Sequence, residues 1–401
     1  MDRRRFLAAS AAATAVAFAP MRLSARDAGG AEALAARLEQ RIAPLVRRAL
    51  EEWELPGGFS VAIVKDRRLV YQAAFGKADR EAGTSLAADA LFPIGSVTKT
   101  FTAALAVKLA ARGVVDLDAP VQRYLPEGVT LHPTLTRVPV TLRTLLTHRQ
   151  GWPRDNATRR NLRLELSNGY DPGIADPASF SRAEFQRGLA LTQATLPPLE
   201  WSYSNLGFHF AAHVLELASG RGMEELLATE IAAPLGLADT RFRPSQAQLG
   251  RVPAGYVLDQ RNDRISRVPP WTAGEVVGGS FLFSTAGDLG RYLATMMDRD
   301  ATARLVGGRQ WEAMLLRPYV EFIGGDIPRQ QALAWQVTVF GRHGTIIRHE
   351  GEADGHNALV AVSRQRRLGL VLLTNNPFDA NEALSLRLLL ALFQLDAGEA
   401  A

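Results

Sequence analysis

The sequence predicts an α+β fold of two lobes: a sheet lobe assembled from both ends of the chain and a mainly helical lobe inserted between them. Apolar, strand-like runs occur early, at 58–65 and 69–75, and again late, at 332–340, 345–349, 357–363 and 368–374. Between them, from about residue 91 to residue 269, the pattern is mainly helical. Strands at both ends with helices between imply one sheet built from distant segments. The sheet lobe then comprises 26–90 and 270–401, and the helical lobe 91–269. With 401 residues and 47% hydrophobic content, the chain can bury a core of that size.

The elements follow in order. Residues 31–53 form an amphipathic helix. Two apolar strands, 58–65 and 69–75, make a hairpin around Asp66-Arg67-Arg68. A helix begins at Ser96 and ends at Gly113, a suitable C-cap. Another runs from Leu206 to Ala218, after the turn-like Trp201-Ser202-Tyr203-Ser204-Asn205. Thr285 and Asp288 read as a capping box for a helix through Met297. Four strands follow, the last two joined by the turn Arg364-Gln365-Arg366-Arg367, and residues 382–395 close the chain as an amphipathic helix. The stretch 152–199 is polar, arginine-rich and irregular, with Arg154, Arg159, Arg160 and Arg163. Long loops of this kind often form functional rims, and a tolerated surface insertion is the alternative.

The chemistry gathers at three places. The first is Ser96-Val97-Thr98-Lys99, at the head of a helix that is apolar almost all the way round. Such a helix is buried, and burial lowers the pKa of an amine. Spacing i,i+3 brings Ser96 and Lys99 onto one face. A serine beside such an amine is an activated nucleophile, and the helix N-terminus offers N–H groups to an oxyanion. Alone, the tetrapeptide also fits an N-cap followed by a solvated lysine. The second place is Tyr203-Ser204-Asn205: on a loop, a phenol and an amide two residues apart can face one cavity, one relaying a proton and the other holding a carbonyl. The third is His349-Glu350-Gly351, at the end of the strand 344–349, where glycine lets a substrate come close to the backbone.

In this order the three resemble the S-x-x-K, Y-x-N and [KH]-x-G motifs of the serine β-lactamase and penicillin-binding superfamily, in the branch with class C β-lactamases, D,D-carboxypeptidases, D-aminopeptidases and related esterases. Further segments resemble that branch: Thr141 to His148, Pro234 to Thr240, Ala273-Gly274, Gly278-Gly279 and Ser284 to Leu289. The resemblance spans roughly residues 35 to 395. It implies an antiparallel sheet flanked by the terminal helices, beside a mainly helical domain. It also implies a two-step acyl transfer on an amide or ester. Ser96 is then the nucleophile, with Lys99 and Tyr203 handling its proton and Tyr203 or His349 protonating the leaving group. Asn205 binds the acyl group, and the N–H groups of Ser96 and Glu352, with Gly351 between the strand and the site, hold the oxyanion. Histidine in the third motif resembles D,D-carboxypeptidases and D-aminopeptidases more than typical class C β-lactamases. The acids Glu350, Glu352 and Asp354 also favour a neutral ester or an amine-bearing peptide over a carboxylate. A true β-lactamase and a non-catalytic penicillin or peptidoglycan sensor are the alternatives.

Residues 1–25 resemble a twin-arginine export signal, with Arg3-Arg4-Arg5-Phe6-Leu7 before an alanine-rich run too short for a membrane span. Cleavage after Ala25 would leave a net charge of about +2 and a periplasmic or secreted protein. No basic stripe with interleaved aromatics argues for nucleic acid. The partner expected is a small-molecule or peptide substrate. There is no cysteine, which excludes disulfides and cysteine-ligated metals. His209 and His213 stand i,i+4, but Phe210 replaces the glutamate of H-E-x-x-H, so no metal is expected, and no cofactor. The absence of a G-x-S-x-G elbow argues against an α/β-hydrolase.

Overall fold

The computed structural model describes residues 25–154, 181–259, 264–269, 274–324 and 327–397. All of the expected signal peptide except Ala25, residues 155–180 of the arginine-rich stretch, and Ala273 lie outside these. Nine strands form one sheet: β1 (Gly58–Lys65), β2 (Arg68–Asp79), β3 (Thr84–Ser85), β8 (Val320–Gly324), β9 (Ile327–Gln331), β10 (Gln336–Val339), β11 (Thr345–Ala353), β12 (His356–Ser363) and β13 (Leu368–Thr374). Their order is β3-β2-β1-β13-β12-β11-β10-β9-β8. Every pairing is antiparallel, and β1 joins the two ends of the chain by pairing with β13 from Phe59 opposite Thr374 to Lys65 opposite Leu368.

Alternation along β1 splits its side chains between two cores. Phe59, Val61 and Ile63 pack with Ile42 and Val46 of α1 (Ala25–Glu52) and with Leu388 and Leu392 of the closing helix. Ala62 and Val64 belong to the other core, with Val371 and Leu373, Leu289 and Leu293, and the helix that follows Ser96. A strand covered on both faces has no polar side to show, which is why its sequence is continuously apolar.

Helix α2 (Thr98–Ala111) lies in that second core, and its residues are buried apart from Lys108 and Ala111. Three of its side chains point at one returning segment. Thr98 Oγ1 receives the Leu282 N–H at 3.3 Å, Thr102 donates to Gly278 O at 2.7 Å, and Lys99 donates to Gly279 O at 2.7 Å. Hydroxyls are tolerated in this buried helix because each has a backbone partner. At its far end Glu230 gathers Lys108, Arg112 and Arg221, the last two at 2.8 and 3.0 Å.

Three expectations need correction. The first hairpin turns on two residues, not three: Asp66 and Arg67 have φ of 50° and 67°, and Arg68 already pairs with Lys65, as a two-residue turn of matching twist requires. The run 332–340 becomes strand only at Gln336, because Ala332 N–H bonds back to Trp335 O at 2.7 Å and closes a turn. The segment 91–269, expected to be mainly helical, also contributes short strands. Strand β4 (Phe92–Pro93) pairs with β7 (Phe283–Ser284), and the hairpin β5 (Gly255–Asp259) with β6 (Arg264–Val268) bonds through Tyr256 N–H to Asn375 O at 3.1 Å. Finally, β11 does not end at His349 but continues to Ala353. Strand β10 covers only 345–348 of it, so 349–353 is an edge.

Candidate active site

Ser96 occupies a 3₁₀ turn, Gly95–Val97, that runs directly into α2. Glycine is required at 95: its φ is +49°, and a Cβ there would lie 2.4 Å from Glu352 O. Gly351 answers it from β11, where a Cβ would lie 2.0 Å from Ile94 O and 3.0 Å from Ser96 N. The bare backbone at 351 therefore makes room for the turn that carries Ser96. The same contact sets the backbone of Ser96 beside that of Glu352.

Ser96 remains partly exposed, whereas Lys99 is wholly buried. The Lys99 amine lies 2.9 Å from Ser96 Oγ, 2.7 Å from Asn205 Oδ1 and 2.7 Å from Gly279 O. Asn205 is the first residue of α4 (Asn205–Ser219), one residue beyond the loop expected for it. The helix is capped by Ser204, whose Oγ accepts from Gly207 N–H at 2.9 Å. Tyr203, just before the cap, places its hydroxyl 2.7 Å from Ser96 Oγ, with its ring 5.0 Å from the Lys99 amine.

The proton bookkeeping constrains this cluster. A carbonyl and an amide oxygen only accept, so two Lys99 N–H bonds are committed to Gly279 and Asn205. The third position of the nitrogen faces Ser96. As an ammonium, Lys99 donates there and the serine proton turns to Tyr203; as an amine, it accepts the serine proton itself. Only the neutral amine can take the serine proton directly; with Lys99 charged, the Tyr203 oxygen is the acceptor left at Ser96 Oγ.

His349 is buried and makes no hydrogen bond to Ser96 or Tyr203; its Nδ1 lies 2.6 Å from Glu350 O. Burial, then the charges of Lys99, Arg348 and Arg329, hold its pKa down to about 3. The acids expected to make this strand end negative are partly neutralised, since Glu350 pairs with Arg348 and with Arg329 at 3.6 Å. Glu352 is exposed.

Two residues of the cluster were not singled out from sequence. Gly279 supplies an acceptor for Lys99 through its carbonyl, which no side-chain pattern reveals. His148 packs its ring 4.5 Å from that of Tyr203 and receives Ser204 N–H on Nδ1 at 3.1 Å. His209 and His213 take separate partners: His209 Nδ1 accepts from Gly279 N–H at 3.4 Å, and His213 meets Gln186 at 3.2 Å.

The fold is of the β-lactamase/transpeptidase-like type. Residues 42–394 match the family described as Beta-lactamase, and the chain belongs to that family. Among its relatives is the unguisins hydrolase ungD' of Aspergillus campestris, 27% identical over 86% of this chain and 63% of the relative, so the chain spans less than two thirds of that protein. The D-alanyl-D-alanine-carboxypeptidase/endopeptidase AmpH of Escherichia coli is 28% identical over 72% of each chain. The solved structure of a β-lactamase/D-alanine carboxypeptidase from Yersinia pestis, complexed with citrate, superposes with a TM-score of 0.71 at 21% identity, covering 89% of this chain and 99% of that one. No helix among the described residues is long and apolar enough to cross a membrane.

Proposed function

We propose that the chain hydrolyses amide bonds of D-amino-acid peptides through an acyl-enzyme on Ser96. The observation that carries this is the position of Ser96 Oγ, between the Lys99 amine at 2.9 Å and the Tyr203 hydroxyl at 2.7 Å. One of these takes the serine proton as Oγ attacks the carbonyl carbon. The backbone N–H groups of Ser96 and Glu352 receive the developing oxyanion. Tyr203 passes the proton to the leaving amine. Water then attacks the ester, and Ser96 recovers its proton. Asn205 spends Oδ1 on Lys99, so it holds an acyl carbonyl through Nδ2–H. His349 is neutral at pH 7 with its proton turned to Glu350 O, which leaves the leaving-group proton to Tyr203. The peptide substrate class is supported by relatives named as peptidases and by the offset charge of Glu350, which makes the strand end less hostile to a carboxylate. The resemblance of residues 1–25 to an export signal supports an activity in the periplasm or outside the cell.

Intact mass spectrometry tests this. The protein and its Ser96→Ala variant are exposed to a fluorophosphonate and to benzylpenicillin. A mass increase by both reagents in the parent alone is the expected result. No adduct with either reagent would sink the acyl-enzyme and favour a vestigial sensor. Labelling by the fluorophosphonate alone would move the substrate to esters, and rapid loss of a penicillin adduct would make the enzyme a β-lactamase.

A further inference from the structure

Two acceptors aim the Lys99 amine, and α4 holds both of them. The helix packs against α2 and α3 (Leu142–Leu146). Asn205, its first residue, meets Lys99 directly through Oδ1 at 2.7 Å. His209 stands one turn further along the same face and meets the other acceptor indirectly. Its Nδ1 accepts the Gly279 N–H at 3.4 Å, and the Gly279 carbonyl accepts from Lys99 at 2.7 Å.

The run Gly278-Gly279-Ser280 does little to fix that carbonyl by itself, because glycine has the widest backbone freedom. The peptide plane between Gly278 and Gly279 is instead held at both polar ends. Its carbonyl, Gly278 O, accepts from Thr102 of α2 at 2.7 Å, and its N–H, that of Gly279, donates to His209 of α4. Both glycines are pressed against α4. A Cβ at 278 would lie 2.3 Å from Ala212 Cβ, and one at 279 would lie 2.9 Å from His209 Nε2. The His209 ring is backed in turn by Phe281, stacked at 5.7 Å. Holding one rigid peptide plane fixes where the next begins, and the next carries the carbonyl that Lys99 uses.

A backbone N–H only donates, so His209 Nδ1 is bare and the single proton of the neutral ring is on Nε2. A doubly protonated ring would turn an N–H toward that of Gly279 and push the peptide away. Burial, then the charge of Lys99, holds the pKa of His209 down to about 3, so the ring is neutral at pH 7.

We propose that His209 is a positioning residue for Lys99: its bare Nδ1 holds the Gly278–Gly279 peptide, so that the Gly279 carbonyl aims the amine at Ser96. The kinetic part of this proposal rests on the acyl-transfer function above; the tautomer and the held peptide do not.

Nitrogen-15 NMR of the imidazoles in the full chain at pH 7 reads the tautomer, and two variants separate the acceptor from the ring. His209→Phe keeps a ring against Phe281 but has no acceptor. His209→Asn gives up the ring but keeps an oxygen where Nδ1 stood. The readout is the rate at which a fluorophosphonate labels Ser96, followed by intact mass in variants with the parental near-ultraviolet circular dichroism. The expected tautomer has the proton on Nε2. His209→Phe is expected to slow labelling roughly ten- to a hundredfold, the cost of misplacing a reacting group by about 1 Å, and His209→Asn to stay within about threefold of the parent. A ring protonated on Nδ1 at pH 7, alone or together with Nε2, would overturn the proposal whether or not either variant folds. So would parental labelling in His209→Phe. A loss in His209→Asn as large as that in His209→Phe would reduce His209 to packing and overturn it too. If the proton is on Nε2 but the parent takes no label, the acyl-transfer function has failed and the held peptide has not.

Discussion

At the residue scale, the cluster proposed to be catalytic separates chemistry from packing cleanly enough to test atom by atom. Removing Ser96 Oγ takes away only the nucleophile, at a partly exposed position in a turn held by its neighbours. Ser96→Ala is expected to lower kcat by at least about 10⁴-fold while the denaturation midpoint stays within error of the parent. Steady-state hydrolysis beside urea titration checks it. Tyr203→Phe deletes one oxygen and leaves the ring against His148, at 4.5 Å, and near the Lys99 amine, at 5.0 Å. Its expected cost is about 10²- to 10⁴-fold in kcat, the usual range for a proton carrier, with an unchanged near-ultraviolet circular dichroism spectrum.

At the element scale, what matters is how the nucleophile turn, α2 and β11 are fitted to each other. Gly95 and Gly351 are the two places where backbone meets backbone, and a methyl group at 351 would need 2.0 Å of space that Ile94 O occupies. Gly351→Ala should destabilise the protein by about 1–3 kcal/mol through overpacking and lower kcat by spreading the two oxyanion amides. Urea unfolding and kinetics on the same preparation measure both; a variant with parental values would show that the strand and turn can part freely. At the other end of α2, Glu230 is 6% exposed and accepts from Arg112 and Arg221 while pairing with Lys108. Truncating it takes a carboxylate from three cations, of which Arg221 keeps Glu225 and Lys108 keeps the Glu230 carbonyl, and Glu230→Ala is expected to cost about 1–3 kcal/mol by the same unfolding assay.

At the scale of the whole molecule, neutral buried histidines couple stability to pH. His349 is held at about 3, chiefly by burial, and His148 and His356 are lowered for the same first reason. The unfolded chain binds protons at these sites from about pH 6.5 downward, while the folded chain does not. Stability is thus fully present above about pH 6.5 and is lost as pH falls toward 3, at up to about 1.4 kcal/mol per pH unit for each such histidine. Melting curves between pH 7.5 and pH 4.5 should show a steep decline below pH 6.5. His349→Gln should flatten part of it, and equal slopes in the two proteins would refute the assignment.

Much of this was legible in the sequence, for reasons that are local. The continuous apolar runs of β1, β12 and β13 could only be strands covered on both faces, and the all-round apolar helix after Ser96 could only be buried. The spacing of Ser96 and Lys99 put their side chains together because three residues make one turn. Strands β8 and β9 were missed because glycine, proline and charge dilute their short patterns. Sequence could not show that β11 runs on to Ala353, since a strand edge that serves a site needs no apolar alternation. Nor could it show that Gly279 O holds Lys99, or that His148 packs against Tyr203: carbonyls carry no residue identity, and residues more than fifty positions apart have no periodicity to share. The sequence by itself determined the long strands and helices, the family, and which side chains were candidates for one site. Only the tertiary structure decided which atoms satisfy one another, because hydrogen bonds and ring tautomers are settled by the directions in which packed elements finally point.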